Sequence, residues 1–175
     1  VLEGSIPSSM PDDIYQQILK RLSDKNMTIA VDATKDLLLN VLEYHPFLIK
    51  PNHHELGEIF GVTLSEWSDV IPYAKKLQER GAKNVLVSMG GKGAVLIAEN
   101  GKIIAGESSK GVVKNTVGAG DSMVAGFMAG WMQKRDYEHA FRMGLASGGA
   151  SACSENLATR QEIETEYEKT AVHYL

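Results

Sequence analysis

The sequence predicts an α/β fold with a mainly parallel sheet, and three observations carry that expectation. Apolar runs of strand length alternate with segments of helical period through the first half of the chain. Glycine-rich turns follow two of the strands, and the chain finishes in three consecutive helical segments. With 175 residues and 43% hydrophobic content the chain can bury one sizeable core, so residues 1–175 are expected to form one folded unit.

Taken in order, Val1-Leu2 is a strand that ends at the turn Gly4-Ser5-Ile6-Pro7. From Pro11 to Asp24, Ile14, Ile18, Leu19 and Leu22 share one helical face. Thr28 to Asp32 is a buried strand with a carboxylate at its C-terminal end. A short helix over Leu37 to Tyr44 and a strand over Phe47 to Lys50 follow. Pro51-Asn52 turns the chain, and Asn52 is placed to cap a helix ending near Gly61. The next helix, Glu66 to Arg80, turns Val70, Ile71, Ala74 and Leu77 inward and stops before Gly81. Asn84 to Met89 is a strand that opens onto Gly90-Gly91-Lys92-Gly93. Val95 to Ala98 and Lys102 to Ala105, joined through Asn100-Gly101, read as a hairpin. The last three helices are expected over Ala119 to Lys134, Tyr137 to Ala152 and Arg160 to Tyr174, with no repeat or linker between any of these elements.

Composition excludes several function classes. A net charge of -4 and a pI near 5.7 leave no basic footprint, so nucleic acid is not an expected partner. The one cysteine, Cys153, rules out an intrachain disulfide and a cysteine zinc cluster, and reads as a small core residue. No apolar run approaches the roughly 18 uncharged residues of a membrane span, and no signal peptide is visible. A soluble cytoplasmic protein without membrane partners is the expectation. The chain opens on a strand without an initiator methionine, which leads us to expect a portion of a larger sheet.

The chemistry concentrates in three segments. In Asn115-Thr116-Val117-Gly118-Ala119-Gly120-Asp121-Ser122, two glycines clear side chains from a turn that enters a helix. The N–H groups of Gly118, Ala119 and Gly120 would then face an anion, helped by the positive end of the helix dipole. Asp121 sits in the first turn, where a carboxylate is stabilised as the anion. A base for phosphoryl transfer needs position more than strength, because the acceptor proton leaves late in a loose transition state. The alternative is a glycine turn capped by an acid. A Walker A loop does not fit, since Gly91-Lys92 is followed by Gly93, and a dinucleotide fingerprint from Gly118 fails at Met123.

Asn52 and Glu55, three apart on one helix face, are oxygen ligands suited to Mg²⁺ or its bound waters, and Asp32 could add a carboxylate nearby. A capped, solvated helix start explains the same pair. Zinc on His53 and His54 is disfavoured, because adjacent helical residues diverge by about 100°. The third segment, Ser88-Met89-Gly90-Gly91-Lys92-Gly93, can wrap a nucleotide with backbone N–H groups or simply enter a tight hairpin. Gly126 and Gly130, four apart on the helix of Asp121, allow close approach of a neighbouring element.

Together these segments resemble the ribokinase-like (PfkB) family of carbohydrate kinases. Asn115 to Ser122 is similar to its D-T-x-G-A-G-D signature, Asn52-x-x-Glu55 to its N-x-x-E magnesium motif, and Ser88-x-Gly90-x-x-Gly93 to its nucleotide loop. Gly4-Ser5-Ile6-Pro7, Phe47 to Asn52, Asp121 to Gly126 and Leu157 to Arg160 resemble the 1-phosphofructokinase branch, with tagatose-6-phosphate kinases close behind.

The resemblance implies a three-layer α/β/α fold, of which residues 1–175 are the C-terminal nucleotide-binding and catalytic portion, without the N-terminal strands and β-lid. It implies ATP and Mg²⁺, and transfer of the γ-phosphate to a phosphorylated ketohexose, fructose 1-phosphate first and tagatose 6-phosphate as the alternative. A nucleotide-binding module without chemistry is a further alternative. By the same resemblance Asp121 is the base and also contacts the sugar, and Gly118, Ala119 and Gly120 hold the transferring phosphate. Asn52 and Glu55 organise Mg²⁺ through water, and Ser88, Gly90, Gly91 and Gly93 line the nucleotide. Lys50 reaches its phosphates, Ser147 faces its base, and Ser5 touches the sugar's existing phosphate. Asn115 stands where the family often has an aspartate beside a monovalent cation, and that missing charge counts against potassium dependence. An intact enzyme of this kind can be a homodimer. The portion alone is expected to be inactive or weakly active, and to associate through its exposed sheet edge.

Overall fold

The computed structural model describes residues 1–4, 6–7 and 9–175, and the chain divides into two compact units, Val1–Val87 and Ser88–Leu175.

The first unit is the strand–helix part. Its strands are β1 (Leu2–Glu3), β2 (Ala30–Asp32), β3 (Leu48–Ile49) and β4 (Asn84–Ser88, whose last residue opens the second unit). Each pairs in parallel with the next, as buried apolar strands joined by helices must. The helices are α1 (Ile14–Leu22), α2 (Lys35–Val41), α3 (His53–Phe60) and α4 (Trp67–Glu79), with a 3₁₀ turn at Leu42–Tyr44. The α4 stripe forms as expected, with Val70, Ala74 and Leu77 fully buried and Ile71 half-buried. On α1 the buried pair is Tyr15 and Leu19, whereas Ile14, Ile18 and Leu22 lie at the margin. Tyr15 turns inward because its hydroxyl has a partner: it donates to the carbonyls of Glu3 at 2.8 Å and Gly4 at 3.1 Å. Burial, then the nearby carboxylates of Glu3 and Asp32, push its pKa up.

The second unit holds β5 (Ala94–Ile97), β6 (Ile103–Gly106), α5 (Ala119–Lys134), α6 (Tyr137–Cys153), α7 (Arg160–Lys169) and β7 (Val172–Tyr174). β5 and β6 form the expected antiparallel hairpin, with Gly101 at φ 84° in its turn. The expected helix to Tyr174 is corrected: α7 stops at Lys169, and β7 pairs antiparallel with β6. Pairing with β6 decides this, since Val172 and Tyr174 suit a strand and Tyr174 anchors it by donating to Glu138 Oε2 at 2.7 Å. α5 and α6 pack at small residues. A Cβ on Gly126 would overlap Ser147 Oγ and lie 2.7 Å from the Met143 carbonyl oxygen, and one on Gly130 would lie 2.9 Å from Ala140 Cα. The helical spacing of Gly126 and Gly130 thus serves close helix packing.

Candidate active site

The start of α5 is built by Gly118. Its left-handed conformation (φ 76°, ψ -1°) folds the chain back so that the Ala119 N–H donates to the Thr116 carbonyl at 3.2 Å. Just before it, the Asn115 side chain accepts from Val117 N–H at 3.0 Å, which fixes the turn locally. The first helical bond then runs from Ser122 N–H to the Gly118 carbonyl at 2.8 Å. One expected donor is therefore occupied. Among the described residues the N–H groups of Gly118, Gly120 and Asp121 make no backbone bond, so the anion-facing set loses Ala119 and gains Asp121. Asp121 is exposed in that first turn.

Beside this turn, within the same unit, lies a cavity of about 240 Å³. Ser88, Gly90, Gly91 and Gly93 line one part of it, and Ala119 and Gly120 another, so two motifs distant in sequence share one hollow. Its loop is shaped by a 3₁₀ turn over Gly90–Lys92, closed by Met89 N–H donating to the Gly93 carbonyl at 2.8 Å. Ser108 also holds the loop, its hydroxyl donating to the Gly91 carbonyl at 3.0 Å.

Sequence reasoning did not assign Ser108, Ser109, Thr116, Gly148, Gly149 and Cys153 to this cavity, which they also line. The adjacent small residues Gly148 and Gly149 were the available signal, since helix glycines clear space on the face they occupy. Cys153 is half-buried against this cavity, with Sγ 3.7 Å from Ser109 Oγ, so its expected place in the core is corrected. Ser147 is not part of this lining: it is buried against Gly126 and borders a separate cleft between α5, α6 and α7.

The remaining candidates belong to the first unit. Lys50 is buried after β3, its ammonium 3.0 Å from Asp32 Oδ2 at the end of β2. Asp32 therefore serves an ion pair, and its carboxylate is partly satisfied by Lys50. Asn52 and Glu55 form a reciprocal capping box at the start of α3. Asn52 Oδ1 accepts from Glu55 N–H at 2.9 Å, and Glu55 Oε2 accepts from Asn52 N–H at 2.8 Å.

The box commits one oxygen of each residue and leaves Glu55 Oε1 without a hydrogen bond among the described residues. A hard cation held through water fits that one remaining oxygen better than direct chelation by both side chains. The His53 and His54 rings lie 3.9 Å apart between centroids and tilted by 38°, and among the described residues no histidine joins a group of three metal-ligating side chains. Ser5 lies outside the described residues. No helix among them is long and apolar enough to cross a membrane.

Comparison with known proteins assigns the chain to a family. The pfkB family carbohydrate kinase model matches residues 1–164, and the chain belongs to that family. A Bacillus subtilis 1-phosphofructokinase is 46% identical over 164 residues, covering 94% of this chain and 54% of its own length. A D-tagatose-1-phosphate kinase from Bacillus licheniformis is 33% identical, covering 93% of this chain and 54% of its own. A solved Staphylococcus aureus structure, provisionally named a phosphofructokinase, superposes with a TM-score of 0.93 at 42% identity, over 99% of this chain and 56% of that one. The expected ribokinase-like α/β fold is thus the fold of the family's solved members. The chain spans about half the length of the curated relatives it matches.

Proposed function

We propose that residues 1–175 are the C-terminal nucleotide-binding and catalytic portion of an ATP-dependent phosphosugar kinase, with fructose 1-phosphate as acceptor and fructose 1,6-bisphosphate as product. The observation that carries this reading is the turn at Gly118, which sets Asp121 and unengaged backbone N–H groups beside a glycine-lined cavity. Half-length coverage of the relatives supports placing most of the sugar's site outside this chain.

In the reaction, the acceptor hydroxyl oxygen forms a bond to the γ-phosphorus while the bond from that phosphorus to the β,γ-bridging oxygen breaks. ADP leaves, and Asp121 takes the hydroxyl proton. The free N–H groups at Gly118, Gly120 and Asp121 stabilise the negative charge on the transferring group, which is where such catalysis gains most. Ser88, Gly90, Gly91 and Gly93 shape the nucleotide cavity with backbone rather than side chains. Mg²⁺, when bound, neutralises phosphate charge, and Asn52 and Glu55 are the residues that would hold its water. Lys50, fixed by Asp32, supplies positive charge at the end of β3. In this reading the whole protein acts in the cytoplasm as a homodimer.

A second reading keeps the mechanism and changes the acceptor to a tagatose phosphate, and the Bacillus licheniformis relative favours it. Kinase assays on the chain extended to its relatives' full length, with fructose 1-phosphate, fructose 6-phosphate, tagatose 1-phosphate and tagatose 6-phosphate, separate the two. In that protein Asp121→Asn should lower kcat by about three orders of magnitude or more with ATP affinity within a few-fold. A loss below about tenfold refutes Asp121 as the base. ATP binding without transfer to any sugar leaves only a nucleotide-binding module.

A further inference from the structure

The Asp121 side chain makes no hydrogen bond or ion pair among the described residues, so the backbone of the first α5 turn sets its position. That turn is held from α6. Ser151 is buried, and its hydroxyl donates to Ser122 Oγ at 2.9 Å while accepting from Ala158 N–H at 3.2 Å. A serine hydroxyl has one proton, and here it is spent on the residue next to Asp121.

The loop that supplies Ala158 also covers the turn: a Cβ on Gly118 would lie 2.7 Å from Leu157 Cδ2. The loop is itself anchored. Ser154 Oγ donates to Glu162 Oε1 at 3.2 Å, and Thr159 and Glu162 form the capping box of α7. On the other side of the turn, the N–H groups of Lys114 and Asn115 donate to the Ala152 carbonyl at 2.9 and 3.2 Å. The end of α6 and the loop after it therefore grip the Gly118 turn from both sides.

We infer that Ser151 is a positioning residue for phosphoryl transfer, holding Asp121 in register through the hydroxyl of Ser122. The inference rests on the proposed role of Asp121. A base displaced by about 1 Å can lose about a hundredfold in rate, so a buried hydroxyl far from substrate can matter to kcat.

The test uses the chain at its relatives' full length, with Ser151→Ala, Ser151→Thr and Ser122→Ala compared beside Asp121→Asn. Ser151→Ala and Ser122→Ala should each lower kcat about tenfold with KM for ATP within about twofold, and speed amide exchange at Ser122 and Met123, the first hydrogen-bonded amides of α5. Ser151→Thr, which keeps the hydroxyl, should recover most of the rate. The inference is overturned if Ser151→Ala keeps kcat within about twofold, whatever its thermal stability, or if Ser151→Thr and Ser151→Ala are equally impaired. Unimpaired Asp121→Asn would instead remove the base itself and with it the catalytic role of Ser151. The exchange measurement would still report whether the hydroxyl holds the helix, so the two failures are told apart.

Discussion

Gly93 and Gly91 stand two residues apart in the same loop, and the structure assigns them opposite tolerance to a methyl group. Gly93 sits at φ 85°, ψ -130°, a region essentially closed to other residues, which costs alanine about 1–3 kcal/mol. Its Cβ would also overlap the Gly106 carbonyl oxygen and come within 2.7 Å of the Glu107 carbonyl carbon. Those are backbone atoms of the paired strand and its exit, so they cannot rotate away, and overpacking of this kind adds about 1–3 kcal/mol. The lower entropy of an alanine chain when unfolded offsets about 0.4–1 kcal/mol.

The net cost of Gly93→Ala is then about 3 kcal/mol, or a Tm lower by about 6–12 °C for a chain of this size. Gly91 has nothing within 4 Å of an added Cβ and no positive φ, so Gly91→Ala should stay within about 0.5 kcal/mol. Thermal melts of the two variants and the parent decide the matter, with ATP titration as a second readout because Gly93 lines the cavity. A Gly93→Ala protein melting within about 2 °C of the parent would refute the reasoning, as would equal losses in the two variants.

Two further outcomes follow from single contacts. Asn52→Ala removes the side-chain half of the α3 capping box and should cost about 1 kcal/mol in urea unfolding, whereas Asn52→Asp keeps an acceptor and should lose much less. Equal losses would mean the cap is not what Asn52 contributes. His139 links helices, with Nδ1 hydrogen-bonded to the Tyr167 hydroxyl at 2.8 Å and Nε2 to Gln133 Oε1 at 3.1 Å. Burial first, then Lys134, lower its pKa below 6.5, while Asp136 opposes and Arg142 adds to the shift. A depressed histidine binds fewer protons folded than unfolded, so its contribution is complete above pH 6.5 and is lost as pH falls through the folded value. Urea midpoints should decline from pH 7.5 toward 5.5 and do so less in His139→Gln; equal slopes would exclude this histidine as the cause.

What could be read from residues alone was whatever depends on local pattern. The apolar run Asn84 to Met89, the capping pair Asn52 and Glu55, and the Asn100-Gly101 turn each specify their structure within a few residues, and each formed where expected. The α5 boundaries were equally legible, because a double glycine followed by an apolar helix has few other conformations. Side-chain partners were not. Ser147 lies on a helix that borders two hollows, and only the α5 packing at Gly126 turns it away from the glycine-lined one. Val172 to Tyr174 continue a helical pattern until β6 offers a strand edge, a pairing with residues about 70 positions away that no local period can announce. The sequence by itself placed Asp121 in the first turn of α5 and marked the glycine turn that presents it. Which amides remain free beside it, and which buried hydroxyl steadies it, are settled only when α5, α6 and the loop after α6 meet, because those contacts join segments far apart in the chain.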